Sequence, residues 1–536
     1  MQQTVGWLER PLKKIGLDNL GAQQPCVMIY TRLLPGITNV TDRAAYFGFY
    51  PWFIRAFEAR HPEAPETQFR ETLRLADCLM TLVAERHALV SGGDIARHSA
   101  TCPGRLTLGP VVRDLQSIHT IELGRYADRS DSNPTRYFKN PLGGLGQYYL
   151  GPLRDEYNVL RGDGRKGVGY WIERGAPLAD AYGASLKSDL FFAALDAGRV
   201  TLGDLDDLAI FCPCSLLSAA RAPARDALIS LFLRDRSPHG TARASSLALV
   251  LDYLMRRNGA PTGDSIKEFL ASCYAGALPD GLWATPERLL EARHGWALYA
   301  RNEMLSLAWS ALFKNSLDAL DGQPKPFANI DALAAWLVTT PAFQDRPVAA
   351  FDDLVAADIT NAPALDDIAH PDHELVMWRT LLAANPPSPA EAARLLVRLY
   401  CRWRDEPSDV YRELHLPLGT LAGYPLTLNS LRTMATVRWS GLVADDWFKV
   451  MVSDVLVTHQ RIAIRKMGQS GEDTLMFRFG DLGFFVHRDL EQIVETQPRL
   501  RQAFQILRDV GLTTNETEHL PRLTGLGDQM LQELVG

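Results

Sequence analysis

Apolar positions along this chain recur mostly at helical spacing, with alternation confined to a few short stretches. A helix is predicted behind Thr38 or Thr41, either of which could cap it. It carries Tyr46, Phe47, Phe49 and Tyr50 and, after Pro51, Trp52, Phe53, Ile54 and Phe57. Aromatics this contiguous, with few cations among them, read as a core seam; a stacking platform for bases is the sharper alternative. A second helix runs from Thr67 with Leu73, Ala76, Leu79, Leu82 and Val83 on one face, and Gly92-Gly93 ends it. Residues 186–420 read as a long helical region. Thr285-Pro286 and Ser388-Pro389 each supply an N-cap followed by a first-turn proline. Before the first helix, Gln24–Tyr30 reads as extended and apolar, leading into a Pro35-Gly36 turn. Near the far end, two apolar runs flank Gly480-Asp481 over residues 473–487 and predict a β-hairpin. The fold class that follows is mainly α with small β-hairpins, more than half helical, its strands lying mainly near 161–174 and 473–487.

Length and composition change this picture little. The chain has 536 residues, 46% hydrophobic and 22% charged, which suits about three domains with ample core. Composition shifts place them at 1–185, 186–420 and 421–536. No apolar run reaches the roughly 20 residues a bilayer requires, and the first ten residues lack the layout of a signal peptide. Seven cysteines, odd in number and irregularly spaced, argue against a disulfide framework and for a reducing cytoplasm. The net charge is −7, but residues 1–175 hold 22 Lys/Arg against 18 Asp/Glu. A mildly basic front part allows a local nucleic-acid face.

Two distant segments share a layout. Leu145–Asp155 and Leu500–Asp509 each form an apolar helical face ending in Leu-Arg-Asp. A polar loop with hairpin potential follows each (161–167 and 513–517), then a β-like stretch and a short closing helix. Helix, hairpin and closing helix resemble the back half of a winged helix-turn-helix domain, so the fold is expected to be a helical multidomain protein with one or two winged-helix-like modules. In such domains that bind DNA, polar and basic residues enter the major groove. The first copy offers Arg154 with Arg161, Arg165 and Lys166 in its wing. The second has an acidic wing, Glu516 and Glu518, which would repel phosphate. Thr31–Arg43 with Phe49-Tyr-Pro-Trp52 behind it further resembles segments of large uncharacterised proteins of bacterial anti-phage defence islands. That resemblance implies a defence role and no particular chemistry.

Candidate catalytic motifs are weak. Gly162-Asp-Gly-Arg-Lys-Gly167 matches a dinucleotide string, but the strand-like Val168–Ile172 follows where a helix is needed, so a hairpin tip is the better reading. His370-Pro-Asp-His373-Glu374 gathers possible metal ligands, but Pro371 breaks the helix and Asp372 is placed to cap the next one. Cys212-Pro-Cys214 is too tight for an ordinary zinc knuckle and has no second Cys or His pair near it in sequence, so it reads as two buried thiols near a helix start. His459, Arg461, Arg465 and Lys466 form a basic run that could grip phosphate, or simply a solvated helix end. No catalytic residue, metal ligand or cofactor is assigned. The expectation is a non-enzymatic, nucleic-acid-binding or scaffolding subunit, with double-stranded DNA and other protein subunits as partners and no membrane. The alternatives are a nuclease or metal-dependent hydrolase near His370 and His373, and a pure protein-interaction scaffold.

Overall fold

The computed structural model describes residues 18–536, apart from 115–119, 163, 407–410, 412–424, 472 and 515–518. The chain is mainly helical, 61% helix and 5% strand, with small antiparallel two-stranded sheets. These pair β1 (Ile121–Glu122) with β4 (Arg199–Val200), β2 (Leu160–Arg161) with β3 (Gly169–Tyr170), β5 (Ala277–Leu278) with β6 (Gly281–Leu282), and β7 (Phe477–Gly480) with β8 (Gly483–Val486). The predicted hairpins are β2–β3 and β7–β8; the sequence pattern does not predict the other two pairs. No helix among the described residues is long and apolar enough to cross a membrane.

Two compact units interleave along the sequence, whereas composition divides it linearly into three. The first unit is Met1–Ile29, Leu270–Trp283 and His294–Thr496; the second is Tyr30–Phe269, Ala284–Arg293 and Gln497–Gly536. The early apolar stretch is helix α1 (Gln24–Leu33), not an extended segment. Asp18 accepts the Gln24 N–H at 3.1 Å, and Pro25 sits in the first turn, where its missing N–H costs nothing.

In the second unit, helix α2 (Ala44–Arg60) is buried all round from Ala44 to Ile54. Its aromatics are core: Phe47 packs against Tyr149, Tyr157 and Phe232, and Trp52 against Phe191 and Phe211. Gly48 lets the helix Gly175–Gly183 close in; a Cβ there would stand 2.2 Å from the Tyr182 ring. Neither threonine caps α2. The cap residue is Arg43, and the free N–H of Ala44 donates instead to Asp509, 465 residues away, at 3.1 Å. Helix α3 (Glu66–Val90) follows, ending as expected before Gly92 and Gly93, both with φ near +85°. The two repeated segments differ in their elements. Residues 145–156 are helical with widened turns, followed by β2–β3 and the helix Gly175–Gly183. The helix Leu500–Asp509 is followed by a single antiparallel bridge, Thr513 to Leu523, and the helix Gly525–Val535. The acidic wing residues Glu516 and Glu518 lie outside the described residues.

The first unit is held by the helices Leu290–Leu320, Pro389–Trp403 and Ala444–Ser470 round Trp309, Phe351, Trp439 and Trp447. Ser388 caps its helix as predicted, accepting Glu391 N–H at 3.1 Å. The other cap-and-proline signal starts only a short turn, Glu287–Leu289, before the long helix begins at Leu290. Glu374 lies fully buried at the start of the helix Glu374–Ala383. It accepts from Arg402 at 2.8 and 3.2 Å, Arg398 at 3.3 Å and the Tyr274 hydroxyl at 2.7 Å. Burial pushes its pKa up, but the Arg402 hydrogen bonds, His373 and Tyr274 outweigh this and hold it at about 2.

Removing this carboxylate leaves the Arg402 guanidinium without its carboxylate partner, while Arg398 keeps Asp358 at 2.6 Å. Glu374→Gln is expected to cost about 3–5 kcal/mol in urea unfolding. The folded value lies below the ordinary glutamate value of about 4.3. The stability Glu374 contributes is therefore complete above that value and is lost as pH falls toward about 2. Acid titration of the Gln variant should lack this component, and an unchanged acid limb would contradict the assignment.

Candidate metal centre

The end of α3 and the turn after it bring two histidines together. His87 is in the last turn of α3. Beyond Gly92-Gly93, Asp94 caps the short helix α4 (Ile95–His98) by accepting the Arg97 N–H at 3.0 Å, and His98 ends that helix. Far along the sequence, a tight turn over Ala209–Phe211 ends at Cys212, whose extended backbone leads into a second turn, Pro213–Leu217, carrying Cys214. One ligand atom from each of His87, His98, Cys212 and Cys214 lies within 4.8 Å of every other. His98 Nδ1 is 3.4 Å from Cys212 Sγ, and His87 Nδ1 is 3.4 Å from Cys214 Sγ. The two imidazoles meet nearly at right angles, 84°, with centroids 4.7 Å apart.

These spacings can be compared with a zinc tetrahedron. Bonds of about 2.3 Å to sulfur and about 2.0–2.1 Å to nitrogen put sulfur and nitrogen ligands about 3.6 Å apart. The two observed sulfur–nitrogen contacts are near that edge length, so a small inward adjustment of the remaining pairs would complete the coordination sphere. His98 and Cys212 are buried, while His87 and Cys214 are half-buried.

The two imidazoles and one of the thiols are poised for a cation, while burial opposes ionisation of the other. Burial, then neighbouring positive groups, lowers His98 to about 4, and burial likewise lowers His87, so both rings are neutral and offer lone pairs. Burial raises Cys212. Cys214 is lowered, first by a hydrogen bond from Cys212 and then by Arg97 and Arg43 despite its burial. Two thiolates and a divalent ion would leave the centre neutral, which removes the main cost of burying charge.

Arg43 holds the His98 loop in place. Its buried guanidinium donates to the carbonyls of Ala96, Arg97, His98 and Ala100 at 2.9–3.4 Å, and to Asp509 at 2.9 Å. Asp509 is thereby joined to the loop carrying His98 through one side chain.

The residues expected to contact nucleic acid are placed differently. Arg154 is paired with Asp155 at 2.7 and 2.9 Å, and Arg165 with Glu63 at 3.0 Å. Arg161 lies over Trp171. Lys166 is not an exposed wing cation. It is buried, donates to the His61 carbonyl at 3.2 Å and sits over the Phe57 ring, because the hairpin folds back on α2. Arg461, Arg465 and Lys466 belong to the other unit. Arg461 is exposed. Arg465 is half-buried. Lys466 donates to the Asp18 carbonyl and is lowered by burial. His459, read with them as part of a basic run, is buried and lowered to about 4 by that burial, its Nε2 accepting the Met476 N–H at 2.9 Å. It is a neutral core residue. At the other histidine pair, His373 rather than Asp372 caps the helix. Its Nδ1 accepts the Leu375 N–H at 3.1 Å and its Nε2 is 3.0 Å from the Leu365 carbonyl, so both nitrogens are taken by backbone. His370 Nδ1 accepts the Asp372 N–H.

Sequence reasoning found the Cys212-Pro-Cys214 pair but not its partners. His87 and His98 are eleven positions apart across a Gly-Gly break and more than a hundred residues from the cysteines, so no local spacing connects them. No protein-family model, curated protein or solved structure matches the chain.

Arg43→Gln should leave four carbonyls and the Asp509 carboxylate short of a donor. Its expected cost is about 3–5 kcal/mol. Because it supports a ligand loop, metal affinity measured by competition with a chromogenic chelator should also fall about 10–100-fold. An Arg43→Gln protein with wild-type stability and affinity would show that the loop is held by other means.

Proposed function

We infer that this protein is a non-enzymatic scaffolding subunit whose second unit carries one structural zinc ion. The observation that carries this reading is the convergence of His87, His98, Cys212 and Cys214 from three separate segments, with both sulfur–nitrogen contacts at 3.4 Å. Four protein ligands fill a tetrahedron and leave no position for water or substrate, which is the arrangement of structural rather than catalytic zinc. Soft thiolates with imidazoles favour zinc over magnesium or calcium. Strongly shifted groups elsewhere point the same way. The carboxylates of Asp77, Glu303 and Glu374 and the ring of His459 are bound to donors or acceptors of the fold itself, as expected of structural groups.

The scaffold role follows from what the basic residues are doing. Of the first module's cations, Arg154 and Arg165 already have carboxylate partners and Lys166 is buried. This favours protein partners over duplex DNA, although exposed pairs worth about 0–1 kcal/mol are easily exchanged.

Metal analysis of protein purified without chelators is expected to give one zinc per chain. Cys212→Ser/Cys214→Ser should contain none, and stripping the wild type should lower Tm. Reconstitution with cobalt should give the intense visible bands of a tetrahedral thiolate site. Protein that retains no zinc and gives only octahedral, weakly coloured cobalt would refute the centre.

A further inference from the structure

Away from the metal centre, the second unit has a cleft of about 590 Å³, a volume typical of small-molecule sites. Its walls are the chain leaving the helix Ala222–Leu233, one face of the helix Pro238–Arg257, the turn Glu287–Leu289 and the end of the helix Gly525–Val535. The middle wall is cut away by small side chains one turn apart: Thr241, Ala244, Ser245 and Ala248. That face can therefore admit a guest instead of filling the space itself.

The charges in the lining are not balanced. Two carboxylates are present, and both are engaged. Glu533 is held by both arms of Arg234 at 2.8 Å. Asp235 takes Arg174 at 3.0 and 3.3 Å and both the backbone and hydroxyl of Ser237. Arg236 and Arg288 also line the cleft. Both are exposed, and among the described residues neither has an ion-pair partner. Two arginines without counter-ions thus share one cleft with the hydroxyls of Thr241 and Ser245, while Leu233, Leu289 and Leu534 supply apolar surface.

We propose that this cleft binds a small organic phosphate, the phosphate held by Arg236 and Arg288 and its apolar body lying on the leucines. Guanidinium groups match phosphate oxygens in planar, bidentate geometry, and the hydroxyls supply further donors. A bare anion would use the arginines but make no contact with the half-buried Leu534, so an ester with an apolar body is the better fit. The site does not depend on the metal reading, since it shares no residue with the zinc ligands.

The test is isothermal titration of the full chain with phenyl phosphate, inorganic phosphate and sodium benzoate at constant ionic strength. Phenyl phosphate should bind about tenfold more tightly than inorganic phosphate, and benzoate more weakly than phenyl phosphate. Arg236→Gln/Arg288→Gln should weaken phenyl phosphate about tenfold or more, with an unchanged circular dichroism spectrum because both side chains are exposed. Arg379→Gln, an exposed arginine in the other unit, should bind as wild type does. Absence of binding at millimolar phenyl phosphate, or equal binding by the double variant, would overturn the site. Inorganic phosphate binding as tightly as the ester would overturn the apolar half of the proposal. Repeating the titration on Cys212→Ser/Cys214→Ser separates the two ideas, because loss of zinc with retained phosphate binding leaves this proposal standing.

Discussion

The arrangement of the second unit depends on one buried ion pair, Arg43 with Asp509. The arginine is 1% exposed and its partner's side chain 5%. Two charges so placed lose most of their hydration, and an isolated pair often fails to recover that loss. Here the remaining hydrogen-bonding capacity is also used. Arg43 gives its other donors to four carbonyls around the end of α4, groups that a helix terminus would otherwise leave unpaired. Asp509 accepts the first N–H of α2 and the Gln505 amide in addition to Arg43. The pair thus accepts the first N–H of one helix and donates to the C-terminal carbonyls of another, and it fastens the helix Leu500–Asp509 to both.

The same pair conditions the metal centre. Cys212 and Cys214 must lose protons to bind a cation, and the positive charge of Arg43 and Arg97 favours that loss at Cys214. His98 must present a neutral nitrogen, which burial already ensures. Without the cation, the turn carrying Cys212 and Cys214 and the loop carrying His98 are joined there by the weak contact of a thiol with an imidazole. A zinc ion bound there would replace that contact with coordinate bonds. It would thereby fasten the second segment to a loop that Arg43 already orients.

How much of this was legible in the sequence depends on the range of the interaction. The all-round apolar character of α2 announced a buried helix, and Ser388-Pro389 and the residues around Asp481 announced a helix start and a hairpin, because each depends on neighbours a few positions away. Mainly helical architecture followed from such local signals. The cap of α2 did not, because its acceptor is 465 residues distant. Thr38 and Thr41 looked suitable by type, but Thr41 instead accepts the Thr38 N–H. Lys166 looked exposed in a glycine-rich loop, yet its aliphatic stem and ammonium are covered by α2 and the following turn. Composition also could not show that the units interleave, since a segment's residue content does not reveal which distant segment it packs against.

Of the candidate metal centre, half was visible as a Cys-Pro-Cys string and was discounted for lack of a neighbouring pair. That argument treats sequence proximity as spatial proximity, which holds for zinc knuckles whose ligands sit on one small loop. It fails where a large hydrophobic core positions the ligands first. A 25-residue helix, α3, carries His87 at one end while its buried face, from Phe69 to Ala88, is fixed by packing. A metal therefore need not organise an otherwise unfolded loop; it would bind at a place the core and the Arg43 ion pair have already brought close. In such a protein zinc should add stability to a formed structure rather than create one, which distinguishes this centre from a small finger domain that is unfolded without its ion.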